Sequence, residues 1–166
     1  MLSLLLPAPR FLDPDLLQSG NAGLSFDEAR AQFGGWAIAA APLLIGADLV
    51  SGIDEATLSI LTAPEVLAVD QDALGVQGVR VSAAAPGGSE CWARPLADGR
   101  VAAMLVNRAI TPADVVCTFA ELGLRRPAAP AAVRDLWARA ELGNATGSFV
   151  AKALAGHASM LVSFTQ

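Results

Sequence analysis

The sequence predicts an α/β segment that gives way near residue 78 to an antiparallel all-β segment. Three observations carry this expectation. A capped, apolar-faced helix is followed by a short continuous apolar run; a second helical stretch follows that run; and beyond Gly78 the pattern becomes short β-like runs punctuated by turn signals. The first two read as consecutive βα units, whose parallel strands are covered on both faces.

The first helix starts at Ser25 and Glu28, an S-x-x-E capping box that satisfies two free backbone donors, and runs through EARAQFGGWAIAA until Pro42 stops it. Trp36 lies on its apolar face and is expected in the core. LLIGAD, residues 43–48, has the continuous apolar character of a buried parallel strand, with Asp48 just past its end. IDEATLSILTAPEVLAVDQD then predicts one or two helical pieces, with Asp54 as cap and Pro64 as the break.

After Gly78 come VRVSAA, the turn PGGS, ECWARPL, the turn ADGR and VAAMLVNRA, and later FVAKAL, AGHAS and MLVSFTQ. Asp98-Gly99 between two such runs is a hairpin signal. RRPAAPAA is expected as a connecting loop held open by its prolines, and Gly75–Gly78 as an inter-segment linker rather than a phosphate loop, since no Lys follows it.

Hydrophobic residues make up 54% of the 166 and charged ones 16%, a composition that buries a core. The net charge is -5 with no Lys/Arg cluster, which argues against nucleic acid as a partner. Pro42, Gly46 and Asp48 interrupt the longest apolar stretch, so no membrane span and a soluble chain are expected, with the compartment open. The opening MLSLLLPAP lacks the basic start of a secretory signal and meets Pro7 early. Cys91 and Cys117 form no CxxC pair and are expected as two buried free thiols, with no structural zinc. His157 is the single histidine, and without a G-x-S-x-G elbow its expected role is structural. Asn144-Ala145-Thr146 fits the N-glycosylation sequon.

Several stretches, read together and in order, resemble the C-terminal part of glycoside hydrolase family 27, the α-galactosidase (melibiase) family. They are DPDLLQSGNAGLSFDEARAQFGGWAIAAAPLLIGADL, LTAPEVLAVDQDALGVQG, CWARPLADGRVAAMLVNRA, VRDLWARAELG and GHASMLVSF. The resemblance implies residues 1–77 as the last two βα units of a (β/α)8 TIM barrel and residues 78–166 as a C-terminal antiparallel β-sandwich domain. It also implies retaining hydrolysis of terminal α-galactosides by two aspartates, with no cofactor. His157 resembles the turn histidine before the last strand of that domain, and Trp137 one of its strand residues.

Asp13 and Asp15 invite assignment as the catalytic pair. On a strand, residues two apart point to one face with α-carbons roughly 6.5 to 7 Å apart. A retaining glycosidase needs carboxyl groups about 5 to 5.5 Å apart that flank the scissile bond, and barrel sites draw them from the ends of different strands. Neighbours on one strand approach a sugar from one side only. The family's nucleophile and acid/base also lie on earlier strands that no segment here matches, so the expected catalytic set of this chain is empty. The DPDL motif resembles the end of the seventh strand, with Phe11, Leu12 and Leu16 standing where the family usually has tryptophan, asparagine and methionine. The expected substrate-side residues are Asp15 at the barrel rim, Leu16 lining the sugar pocket, and Asp48 at the end of the eighth strand.

The expected partner is an α-galactoside, bound by the full-length enzyme. A chain starting at the seventh strand, from a shortened gene or a late start codon, would leave a barrel edge uncovered and prone to self-association. The alternatives are a non-catalytic carbohydrate-binding or interaction fragment, and a complementing piece of a split enzyme.

Overall fold

The computed structural model describes residues 13–82 and 88–166. The apolar opening, Phe11, Leu12 and the first residues of the PGGS turn lie outside the described residues.

Helix α1 spans Phe26–Ala39. Its capping box is complete: Ser25 Oγ accepts from the Glu28 amide at 3.2 Å, and the Ser25 amide donates to Glu28 Oε2 at 2.9 Å. Ala40, in a left-handed conformation, ends it, and Pro42 forbids its return. Helix α2 (Glu55–Leu61) is capped by Asp54, whose Oδ1 accepts from the Thr57 amide at 2.6 Å, and α3 (Pro64–Asp70) begins on Pro64. Proline at a first helical position loses no hydrogen bond, so it separates two helices without disrupting either.

The strand expected at LLIGAD contracts to one parallel rung, Leu17 against Ile45. The Leu17 amide donates to Leu44 O at 2.7 Å, and the Gly46 amide donates to Leu17 O at 2.9 Å. Leu17 is fully buried, but Leu44 and Ile45 are exposed, so burial on both faces does not hold. With Pro42 and Gly46 close by and no further strand beside it among the described residues, the ladder has nothing to extend it.

Eight strands follow: β1 (Val79–Arg80), β2 (Ser89–Pro95), β3 (Val101–Asn107), β4 (Ala113–Thr118), β5 (Pro130–Asp135), β6 (Ala140–Thr146), β7 (Ser148–Leu154) and β8 (Ser159–Thr165). They form one antiparallel sheet in the order β1-β2-β3-β8-β5-β6-β7-β4. The Asp98-Gly99 hairpin is as expected, with Gly99 at φ 86° and Leu96 N–H donating to Arg100 O at 2.9 Å. Four expectations change. The end of RRPAAPAA opens β5, because Pro130 sits at a strand start where its missing N–H costs nothing. AGHAS is a turn, in which His157 at φ 61° donates its amide to Ala109 O. Trp137 lies just past β5, in a turn where Asp135 Oδ1 accepts from its amide. The glycines at 75–78 are no loose linker at their end: Gly78 N–H donates to Ile38 O at 2.8 Å, and a Cβ on Gly78 would overlap Ile38.

Two cores result. Inside the folded-over sheet lie Cys91, Leu105, Val115, Cys117, Phe119, Val133, Val162 and Phe164. On its outer face, Met104 and Leu161 pack against Phe33, Ile38 and Val66 of the helices. Cys91 and Cys117 are not free thiols: they form a disulfide joining β2 to β4 within the inner core. Strand alternation points both inward from strands that do not pair with each other, a juxtaposition invisible in the spacing of the two cysteines.

The same alternation turns Trp92 and Arg94 outward, toward the helices. Arg94 is fully buried, and its Nη1 donates to Ala37 O at 2.8 Å and Asp70 O at 3.0 Å. A cation thus meets the C-terminal ends of α1 and α3, where helix carbonyls concentrate partial negative charge. Burial pushes the Asp70 carboxyl up to about 6, against the pull of Arg94. Arg134 on β5 grips Glu65 of α3 bidentately, at 2.8 and 2.6 Å, fixing the helix to the sheet's outer face.

Candidate functional site at the DPDLL rim

The DPDLL segment leads into the parallel rung, and its two carboxylates turn onto their own backbone. Asp13 Oδ1 accepts from the Asp15 amide at 3.0 Å, and Asp15 Oδ1 accepts from the Leu16 amide at 2.8 Å. Asp15 takes φ 75°, a left-handed conformation that aspartate tolerates because its short side chain bonds locally. Trp36 Nε1 on α1 donates to Asp15 O at 3.3 Å and anchors this turn to the helix.

Leu16 is 42% exposed and rests on Gly46, where an added Cβ would lie 2.9 Å from that of Leu16. Glycine is therefore required there for the two segments to approach. Asp48 is exposed, and its Oδ1 accepts from the Val50 amide at 2.8 Å and the Ser51 amide at 3.1 Å. Hydrogen bonds from the Ser51 side chain and from both amides hold its carboxyl below the usual range. The rung thus joins Leu16 to the 43–48 segment. Asp15 lies two residues before it and Asp48 three residues after its partner, so no carboxylate pair faces a common point across the rung.

Sequence reasoning missed a second concavity of about 440 Å³ beside α1, lined by Trp36, Gly35, Trp92, Met104, Glu90 and Arg108 among others. Its signal was Glu90 and Trp92 on one face of ECWARPL. Glu90 Oε2 accepts from Trp92 Nε1 at 2.9 Å, and Oε1 pairs with Arg108 at 3.1 Å and Arg80 at 3.5 Å. Burial works to raise the Glu90 pKa, but these partners outweigh it and hold the carboxyl below the usual range. With Glu90 saturated and a mainly apolar lining, the groove offers a sugar few free polar groups. No group of acidic, histidine or cysteine side chains suited to a metal ion occurs among the described residues.

Residues 86–164 match the family model described as the α-galactosidase C-terminal β-sandwich domain, and residues 5–72 match that described as α-galactosidase A. The chain belongs to the α-galactosidase family, glycoside hydrolase family 27. A probable α-galactosidase of Dictyostelium discoideum is 40% identical over 87% of the chain, which spans 37% of that relative. Among solved structures, α-galactosidase I of Mortierella vinacea superposes with a TM-score of 0.84 at 26% identity, covering 92% of this chain and 38% of that one. A family 27 β-L-arabinopyranosidase of Geobacillus stearothermophilus gives 0.81 at 28% identity, covering 93% and 37%. The chain therefore spans a little over a third of the length of each of these three proteins. No described helix is long and apolar enough to cross a membrane.

Proposed function

We propose that the chain is the C-terminal part of an α-galactosidase-like retaining glycoside hydrolase that releases terminal α-linked galactose from oligosaccharides or glycoconjugates. Residues 1–77 supply the last two βα units of its barrel, and residues 78–166 its β-sandwich. The two carboxylates that attack the anomeric carbon and protonate the leaving oxygen come from barrel strands outside this chain. The match of both family regions, in order, carries this reading.

Asp15, Leu16 and Asp48 are substrate-side residues that shape and do not react. Leu16 offers an apolar surface to the sugar ring, Asp15 holds the backbone beneath it, and Asp48 fixes the neighbouring turn. This division of labour is supported by the carboxylates' commitment to local amides.

Hydrolysis of an aryl α-galactoside tests it. The folded chain alone is expected to show none, and co-expression with a polypeptide carrying the first six βα units is expected to restore it. In that pair Asp15→Asn, which keeps the Oδ1 acceptor, retains most activity, whereas Asp15→Ala frees the turn and lowers kcat/KM by about 100-fold, the scale of a small misplacement at a site. Hydrolysis by the chain alone that Asp15→Asn abolishes would overturn the proposal.

The isolated chain is further proposed to self-associate through the rung's uncovered side, where Leu44, Ile45, Leu49 and the fully solvated Val50 are exposed. Sedimentation velocity should show concentration-dependent association that Ile45→Lys with Val50→Glu suppresses. A monomer at every concentration would refute this.

A further inference from the structure

We propose that Asn144 is an acceptor for N-linked oligosaccharide, added as the chain passes through an oxidising secretory compartment. The sequon Asn144-Ala145-Thr146 occupies the end of β6, immediately before the tight Gly147 turn into β7. Register fixes its orientation. Ala145 pairs with Ala131 and packs on the inner core, so Asn144, opposite Ala132, and Thr146, opposite Pro130, share the outer face. Asn144 and Thr146 are both exposed, and the Asn144 side chain makes no hydrogen bond among the described residues. Before Thr146, β6 pairs with β5 alone, which leaves its other edge open to an approaching transferase.

The chain's other asparagines differ. Asn21 and Asn107 have no Ser or Thr two residues on, and Asn107 is buried, donating to the carbonyls of Thr111, Leu154 and Ala155. They serve as internal controls.

The disulfide supplies an independent argument. A fully buried Cys91–Cys117 bridge forms and persists in oxidising compartments, which in eukaryotes are those where oligosaccharide is transferred to asparagine. In the transfer, the Asn144 amide nitrogen bonds to the anomeric carbon of a lipid-diphosphate-linked oligosaccharide. The bond from that carbon to the diphosphate oxygen breaks, the lipid diphosphate leaves, and the amide proton passes to a base of the transferase. The glycan would stand on the face that carries the helices, about 10 Å along β6 from Glu141, which pairs with Arg134.

The test is cell-free translation of the full chain behind a cleavable leader with rough microsomes, reading only the protease-protected product. The expected result is a mass increase that a peptide-N-glycosidase removes by hydrolysing the side-chain amide, leaving aspartate at position 144 in the tryptic peptide 140–152. Thr146→Ser keeps the increase, and Thr146→Ala and Asn144→Gln abolish it. A protected wild-type chain with an unmodified 140–152 peptide overturns the proposal, as does modification that persists in Thr146→Ala.

Discussion

Replacing Cys91 and Cys117 together by alanine is expected to destabilise the folded chain by about 3.5 kcal/mol. The bridge closes a loop with a sequence separation of 26, and loop-closure entropy at that length accounts for the figure. The two sulfurs also sit fully buried between layers of the inner core, so their removal opens a small void that adds to the loss. Urea unfolding of the oxidised chain, the reduced chain and the double variant measures this. With a slope of about 2 kcal/mol/M the midpoint should fall by about 1.7 M. The reduced chain should lie close to the double variant, because chain constraint outweighs the lost packing. A difference between oxidised and reduced chains below about 1 kcal/mol would contradict this account of the sandwich.

The second large effect belongs to Arg94. Arg94→Met fills much the same space but withdraws a charged donor from the Ala37 and Asp70 carbonyls, each such bond contributing about 1.5 to 3 kcal/mol. Against that stands the cost of burying a guanidinium whose Nε and Nη2 have no partner among the described residues. The two carbonyl bonds decide the sign, and a net loss of about 2 to 3 kcal/mol is expected. Arg94→Lys recovers part of it, since one compact ammonium cannot reproduce the planar reach to two helix ends.

The pH dependence separates this role from simple packing. A carboxyl raised to about 6 in the folded state binds its proton more tightly there than in the unfolded chain. Asp70 therefore favours folding most below its ordinary value of 3.8, and that contribution declines as pH rises through about 6. Removing the Arg94 cation raises the folded value further, so the decline extends above pH 6 in Arg94→Met. Denaturation midpoints across pH 4 to 8 in the unaltered chain, Arg94→Met and Arg94→Met/Asp70→Asn would expose it. Identical pH profiles for the unaltered chain and Arg94→Met would refute the coupling, and the double variant shows how much of the profile belongs to Asp70.

The local signals of the helices were legible because they reside in a few adjacent residues: Ser25 with Glu28, Asp54 before its helix, Pro64 at a first turn. The alternating ECWARPL and the continuously apolar VAAMLVNRA, each bounded by turn signals, were legible for the same reason. β4 and β6 were not. ADVVCT is short and half exposed, and AELGNAT is exposed along almost its whole length, so β6 stays a strand through its pairing with β5 rather than through any pattern of its own. The disulfide and the Arg94 clamp were likewise hidden, because each joins residues whose proximity is set by how the sheet folds over. At the DPDLL rim the sequence carried chemical reasons for excluding a catalytic pair. What it lacked was the left-handed turn at Asp15, which aims each carboxylate at a neighbouring amide.

The position of β8 has a consequence for how the protein is made. It lies between β3 and β5, paired to both, yet of the eight strands it is the one synthesised last. Until residues 159–165 leave the ribosome, the β2–β3 and β5–β6 ribbons have no strand between them, and the apolar residues of β3 stay open to solvent and to other nascent chains. Folding of the sheet is thus deferred until β8 has been synthesised and then depends on contacts distant in sequence, which slows it. A nonsense codon just before residue 159 would remove the sheet's middle rather than its margin.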